Sequence, residues 1–532
     1  MCSELPSVQH SRPRLLRNKC SDARCRQEFY RFLNEPNERV GKAIVFSRAL
    51  IGIGLSATLV ACGGGGGGSS SPASPIAGGG SGSGGGSSTD ACGVAAQIEF
   101  VETVATSYYY WYDELADVSA SDYSSASDYL AAIMRPVWCD AVDAPGNCQS
   151  TGRDPGFSYM TTIEEDTQRF TSGAFYGYGV RYRIIDNNFY FADSYEGGPA
   201  HNAGVRRGQR LLAVDRGQGF ETWEALVARS AELPEAVFGP RGELQTTTFR
   251  VEYDGVVSEF SVTTAETSTP PIAGEPQLIA RAGGAPVGYL NFRTFIDAAE
   301  QPLRDAAETF ANAGVTDLVI DLRYNGGGLV RVAETLLNLL AGDTANGELS
   351  YIINLNDKHQ NENSTADFRS LNETFSPLRI AFITTGGSAS ASELIINGLD
   401  PHIEVVLVGS ETSGKAVGQS AFDLDADACE TRFRLIAFEI QNGEGQGGYY
   451  TGLASTGRFT LYDAIDDATR PFGDVQEASL QTALAWLNGT LEKGPSQQAK
   501  RSTPPLGVAG FEASWGATEQ PPLNPDGSVR AF

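Results

Sequence analysis

The spacing of apolar positions changes character along this chain, and each change predicts a different kind of structure. Residues 95–102 and 125–134 repeat apolar side chains with helical spacing, and Tyr108-Tyr109-Tyr110-Trp111-Tyr112 lies between them. Residues three and four apart share a helix face, so 90–171 reads as a small helical N-terminal domain with the aromatics in its core. Across 172–265 short strands are predicted at 189–192, 210–214 and 247–251, marked by alternation and by glycine-rich turns. From 270 to 494 strand and helix take turns. Strands at 287–292, 318–322, 378–384 and 405–409 alternate with helices at 299–313, 329–340 and 390–399. Unbroken apolar strands such as Leu318-Val319-Ile320 suit a parallel sheet covered on both faces, so the fold class is α/β with right-handed crossovers.

Two stretches carry no core-forming pattern. Residues 62–89 are nearly all Gly, Ser, Pro and Ala and read as a flexible tether. Residues 495–532 read as a loosely packed tail. The N-terminal 1–61 read as an extension plus a signal segment. Arg39, Lys42 and Arg48 precede an apolar run over 49–61, too short to span a bilayer but suited to export. Leu59-Val60-Ala61 then leads into Cys62.

Composition narrows the class further. A length of 532 residues implies roughly two to four folded units. The formal net charge of −26 argues against nucleic acid as a partner. Mean hydropathy of −0.21 argues against a polytopic membrane protein. Beyond the leader and Cys62 the chain keeps Cys92, Cys139, Cys148 and Cys429. Export to an oxidising compartment makes disulfides available. Cys139 and Cys148 flank a turn-rich loop and are the expected pair, leaving Cys92 with Cys429. No Cys/His spacing suggests a metal site, and no cofactor is implied.

The chemistry-bearing residues follow predicted strands. Gly387-Ser388-Ala389-Ser390-Ala391-Ser392-Glu393 opens a helix, and Lys415 stands 25 residues after Ser390 with Gln419 four further on. A helix N-terminus offers free N–H groups to an oxyanion. A lysine among Gly414, Ala416, Val417 and Gly418 can be desolvated and serve as a base. Asp321-Leu322-Arg323-Tyr324-Asn325-Gly326-Gly327-Gly328 supplies a loop whose backbone can approach a substrate closely. Arg323 and Asn325 read as supports of that loop, and Glu393 as a support of the helix start. His201, His359 and His402 offer a less favoured serine–histidine alternative.

Together these motifs resemble the S41 family of C-terminal processing, or tail-specific, peptidases, over residues 172–490. The resemblance implies a crotonase/ClpP-like ββα-spiral core, with Ser390 as nucleophile, Lys415 as general base and Gln419 orienting the lysine. It implies an oxyanion hole from Ala391 N–H and Gly327 or Gly328, although Gly326 stands where many members have proline. On the run from Pro199-Ala200 to Asp215, residues 172–265 resemble a PDZ domain, with Gly177, Tyr178, Gly179 and Val180 as the carboxylate-binding loop and docking strand for a substrate C-terminus. Leu59 to Cys62 resembles a lipoprotein cleavage site, implying lipidation of Cys62, a membrane anchor, and residence in the cell envelope on the outer membrane facing the periplasm. The expected activity is a lipid-anchored serine endopeptidase acting on proteins or peptides. The alternatives are a non-catalytic PDZ-type peptide-binding lipoprotein and an acyl-CoA enzyme of the crotonase fold.

Overall fold

A computed structural model describes residues 91–491, apart from 143–147, 230–232, 241, 243 and 282. The leader, Cys62, the tether and the tail lie outside the described residues. Helix α1 (Val94–Tyr108) runs into the aromatic segment. Helix α2 (Ala126–Trp138) begins where Ser125 accepts a hydrogen bond from Asp128 N at 3.1 Å, an N-cap that satisfies one of the free first-turn amides. Strand β1 (Tyr159–Thr162) and helix α3 (Ile163–Thr171) complete the N-terminal region.

Strands β2 (Val180–Ile185), β3 (Asn188–Ser194), β4 (Arg210–Asp215), β5 (Thr246–Tyr253) and β6 (Val256–Thr263) form an antiparallel sheet in the order β6-β5-β4-β3-β2. Its hairpins turn tightly because Asp186-Asn187 and Asp254-Gly255 accept positive φ, the backbone sense that matches strand twist. Phe189, Phe191, Phe249, Tyr178 and Trp223 fill its core. Strand β2 is an edge of this sheet.

The remaining elements are β7 (Gln277–Ile279), β8 (Val287–Asn291), α4 (Glu300–Asn312), β9 (Asp317–Asp321), α5 (Val330–Ala341), β10 (Leu349–Leu355), β11 (Ser364–Asp367), β12 (Arg379–Thr384), α6 (Ala391–Leu399), β13 (Glu404–Gly409), β14 (Val417–Asp423), β15 (Thr431–Asn442), β16 (Leu461–Asp463) and α7 (Ala478–Leu487). A six-stranded sheet runs β7-β8-β9-β12-β13-β16, parallel throughout except at β7. One face packs Leu290, Leu318, Ile320 and Phe382 against Leu303, Leu336 and Leu394 of α4, α5 and α6. The other packs Tyr289, Val319, Ala381 and Val406 against Leu480, Ala483 and Trp486 of α7. Burial on both faces explains why these strands read as continuous apolar runs.

A second, five-stranded sheet runs β11-β10-β15-β14, with β1 joined to β15. Val417, Phe433, Leu435 and Ile436 of this sheet share one core with Val101, Val104, Tyr129 and Ile133 of α1 and α2. The helical region therefore packs on the strand that begins just after Lys415. A disulfide between Cys92 and Cys429 crosses the same junction, with Cα atoms 5.5 Å apart. Cys139 is also disulfide-bonded. The side chain of Cys148 lies outside the described residues.

Buried ion pairs fasten the antiparallel sheet to the parallel core. Arg293 grips Asp193 with two bonds of 2.8 Å. Arg207 reaches Asp466 at 3.1 Å and the Tyr324 hydroxyl at 3.0 Å. Among the described residues no helix is long and apolar enough to cross a membrane.

Candidate active site

Strands β9, β12 and β13 are neighbours in the parallel sheet, and the loops leaving their carboxyl ends carry Asn325 to Gly328, Ser390 and Lys415. Carboxyl ends of adjacent parallel strands are where ligands are met in such folds. Backbone bonds draw the three loops together. Ala389 N donates to Asn325 O at 3.1 Å and Ser413 N to Ser388 O at 3.0 Å. The hydroxyl of Ser388 donates to Leu322 O at 2.7 Å, and that of Ser392 to Asn325 O at 2.8 Å. The outer serines of the Ser-Ala-Ser-Ala-Ser run are thus spent on the scaffold.

Ser390 is the residue left over. It is half-buried and holds φ at 54° with ψ at −113°, a conformation that non-glycine residues avoid. Such strain persists only where surrounding bonds impose it. Here the Ser390 N–H donates to Glu393 Oε2 at 3.0 Å. The N–H of Ala391, at the first position of α6, has no partner among the described residues.

Glu393 is fully buried and joins two loops. Besides Ser390 N it accepts from Lys415 N at 2.8 Å and, through Oε1, from Gly414 N at 2.7 Å. Burial pushes its carboxyl up to about 7 in spite of these donors and of the Thr412 hydroxyl.

Lys415 Nζ donates to Gln419 Oε1 at 3.2 Å. Its amine lies 4.5 Å from the centre of the Phe157 ring. Desolvation lowers it to about 8, aided by Arg169 and Arg434 and opposed by Asp154 and Glu393. An amine at that value is half neutral near pH 8, the form in which it can accept a proton. Glu411 turns elsewhere and accepts from Ala454 N and Ser455 N at 2.9 and 2.8 Å.

The glycine loop abuts the serine. A Cβ on Gly327 would come within 2.8 Å of Ser390 Cβ and 2.9 Å of Ala391 N, so only glycine fits, and its φ of 103° agrees. Its own N–H is engaged by Asn325 Oδ1 at 2.9 Å, while the N–H of Gly328 has no partner among the described residues. Asn325 Nδ2 in turn donates to Phe292 O at 3.0 Å. Arg323, 1 % exposed, is ringed by Asp321, Asp466 and Glu477. Both residues support the loop, as expected.

Gly177, Tyr178, Gly179 and Val180 stand apart from this cluster. They lead into edge strand β2, with the Tyr178 ring buried and its hydroxyl donating to Phe238 O at 3.1 Å. The histidines serve other places. His402 is largely buried, meets the Phe368 ring edge-on and lies 3.3 Å from Glu348. Ser107 Oγ lies 3.0 Å from His359 Nε2, and His359 Nδ1 lies 2.9 Å from Glu362 Oε1. This has the outline of a triad, but Ser107 is in the last turn of α1, where carbonyls rather than N–H groups are free. The group instead pins α1 to the loop after β10.

Phe157, which the sequence reading does not single out, lies in the turn Asp154-Pro155-Gly156-Phe157-Ser158. Its signal is an aspartate three residues ahead whose carboxylate accepts the Phe157 N–H at 2.6 Å.

Two stretches of the chain match known families. Residues 286–449 match peptidase family S41, and residues 96–159 match the peptidase S41 N-terminal domain. The chain is 27 % identical over 282 residues to a carboxyl-terminal-processing protease of Synechocystis, covering 52 % of this chain and 61 % of that protein. It is 27 % identical to a chloroplastic C-terminal processing peptidase of Tetradesmus obliquus, covering 43 % of this chain and 48 % of that one. The alignments thus span less than two thirds of these relatives' own lengths. A solved structure of a candidate S41 protease from Bacteroides fragilis superposes with a TM-score of 0.56 at 24 % identity, covering 74 % of this chain and 98 % of that one, and shares its fold.

Proposed function

We propose that this chain, an S41 peptidase homologue in both its core and its N-terminal region, is a serine endopeptidase working through a Ser390–Lys415 dyad. The observation that carries the reading is the joint setting of Lys415. Its amine is desolvated and held by Gln419, and its backbone N–H shares Glu393 with that of Ser390.

In this reading neutral Lys415 takes the Ser390 hydroxyl proton as Oγ attacks a peptide carbonyl. The oxyanion is received by Ala391 N–H and a donor of the glycine loop. Gly327 would have to relinquish Asn325 to serve, so Gly328 is the readier donor. Protonated Lys415 then gives its proton to the leaving amine, and water, deprotonated by the same lysine, releases the acyl group. Gln419 keeps the lysine pointed inward.

The 172–265 region acts as a PDZ-like unit. A substrate C-terminus adds as an extra strand to edge strand β2 beside Gly177, Tyr178, Gly179 and Val180. Cys62 carries a lipid anchor that places the enzyme in the cell envelope, at the outer membrane facing the periplasm. Cys139 pairs with Cys148.

The test is cleavage of an unfolded model protein by the full chain beside Ser390→Ala and Lys415→Ala. Loss of cleavage in both variants, with the parent's thermal melt retained, supports the dyad. Retained activity in either variant rejects its assignment. A parent that is inactive even with a C-terminal peptide bound at β2 would favour a binding protein instead.

A further inference from the structure

We propose that the Asp154–Ser158 turn of the N-terminal region is a built part of the catalytic base, with Phe157 as the residue that positions and shields the Lys415 amine. This rests on the Ser390–Lys415 reading and assigns the N-terminal region a task within it.

The argument starts from one amide group. Gln419 Nε2 donates to the backbone oxygen of Phe157. That bond fixes which end of the amide faces the lysine, so Oε1 accepts from Lys415 Nζ at 3.2 Å. Without it the amide could rotate by half a turn and present its NH₂ group, a donor, to the amine. The Phe157 ring adds a second contact, its centre 4.5 Å from Nζ, and covers the amine with apolar surface.

The turn is rigidly made. Buried Asp154 accepts from Phe157 N at 2.6 Å, Ser158 N at 3.1 Å, the Ser158 hydroxyl at 2.6 Å and the Tyr109 hydroxyl at 3.0 Å. Ser158 Oγ in turn accepts from Ile436 N at 3.1 Å, on the strand paired with that of Gln419. Tyr109 belongs to the segment that ends α1. Helix, turn and base strand are therefore one hydrogen-bonded assembly.

The ring excludes water from the amine, which lowers its pKa, while its face attracts the ammonium form, which raises it. The charged groups that face Lys415 are Asp154 and Glu393, which favour its protonated form, and Arg169 and Arg434, which disfavour it. Desolvation outweighs them all and keeps the amine available as a base. A polar side chain at 157 would admit water and raise the amine towards its ordinary value. An apolar side chain of similar bulk would not.

The experiment compares the full chain with Phe157→Leu and Phe157→Gln, using fluorescein-labelled casein and recording kcat and KM from pH 6 to 10. Thermal melts confirm that both variants fold. We expect the acid limb of Phe157→Gln to move upward by about one pH unit, with kcat reduced at pH 7 and KM little changed. Phe157→Leu should keep the parent's limb. If both variants share the parent's limb, Phe157 is only packing and the inference fails. Lys415→Ala, run alongside, separates the two failures. An active Lys415→Ala overturns the dyad itself, whereas an inactive one with unmoved limbs overturns only the role of Phe157.

Discussion

Ser390 and Lys415 donate their backbone N–H groups to the same carboxylate oxygen, Glu393 Oε2, at 3.0 and 2.8 Å. Glu393 is thus a clasp between the segment bearing Ser390 and the segment bearing Lys415. Its cost is a buried charge, offset by three backbone donors and the Thr412 hydroxyl.

Glu393→Gln keeps one acceptor oxygen but turns an NH₂ group towards an amide that needs an acceptor. We expect kcat to fall by about 10- to 100-fold, in line with the ~1.5–3 kcal/mol of a charge-assisted bond, with KM little altered. Steady-state kinetics at pH 8 provide the check, and an unchanged kcat would deny the clasp.

The pH profile follows from Lys415. Its amine is lowered to about 8, so the neutral base accumulates as pH rises through that value. The expected kcat/KM therefore climbs between about pH 7 and 9, the working range being set by that shifted lysine. Lys415→Arg keeps the charge but cannot release the proton, and should be as inactive as Lys415→Ala. Hydrolysis followed across that range tests both statements.

Gly327→Ala places a methyl 2.8 Å from both Ala389 O and Ser390 Cβ, at a φ of 103° that alanine avoids. The loop must shift and carry the oxyanion donors with it. A loss of about 10²–10³ in kcat is expected, the scale seen when one such donor is removed. Titration of Ser390 with an active-site phosphonate would show whether the serine remains reactive.

Arg323→Ala leaves Asp321, Asp466 and Glu477 facing one another in the core without their central cation. Destabilisation of about 3–5 kcal/mol is expected, as for breaking any buried pair from one side. Urea unfolding followed by tryptophan fluorescence measures it.

Reduction of the Cys92–Cys429 bond, or Cys429→Ser, should cost about 2–4 kcal/mol, since the bond closes a very long loop. Parallel melts with and without dithiothreitol give the size, and the Cys429→Ser protein should respond less to the reductant than the parent.

Much of the parallel core was legible because its strands are covered on both faces and so are written as apolar runs. Leu318 to Ile320 and Val405 to Val408 announce themselves in this way. Ser390 and Lys415 were legible as candidates for a different reason, namely that they follow those strands at fixed offsets. The second sheet was not anticipated. Strand β15 mixes Arg432, Arg434 and Glu439 with apolar neighbours, because those polar groups answer partners from distant segments. Arg432 and Arg434 both grip Asp166 of α3, more than 260 residues earlier in the chain. Phe157 was hidden likewise, since nothing local distinguishes an aromatic that covers an amine from one that fills a core. Gly327 was expected as an oxyanion donor, but the engagement of its N–H by Asn325 depends on a side-chain direction that spacing does not convey.

The core shared by α1, α2 and the strands following Lys415 bears on how such a chain can be recombined. Its catalytic sheet cannot be exchanged for a relative's as a self-sufficient cassette. Residues 94–162 and 415–442 would have to travel together, because each completes the other's interior and the disulfide ties them at the edge. A chimera cut between Ser390 and Lys415 would take the serine from one parent and the lysine from the other, and would leave the lysine's strand without its own parent's helical region.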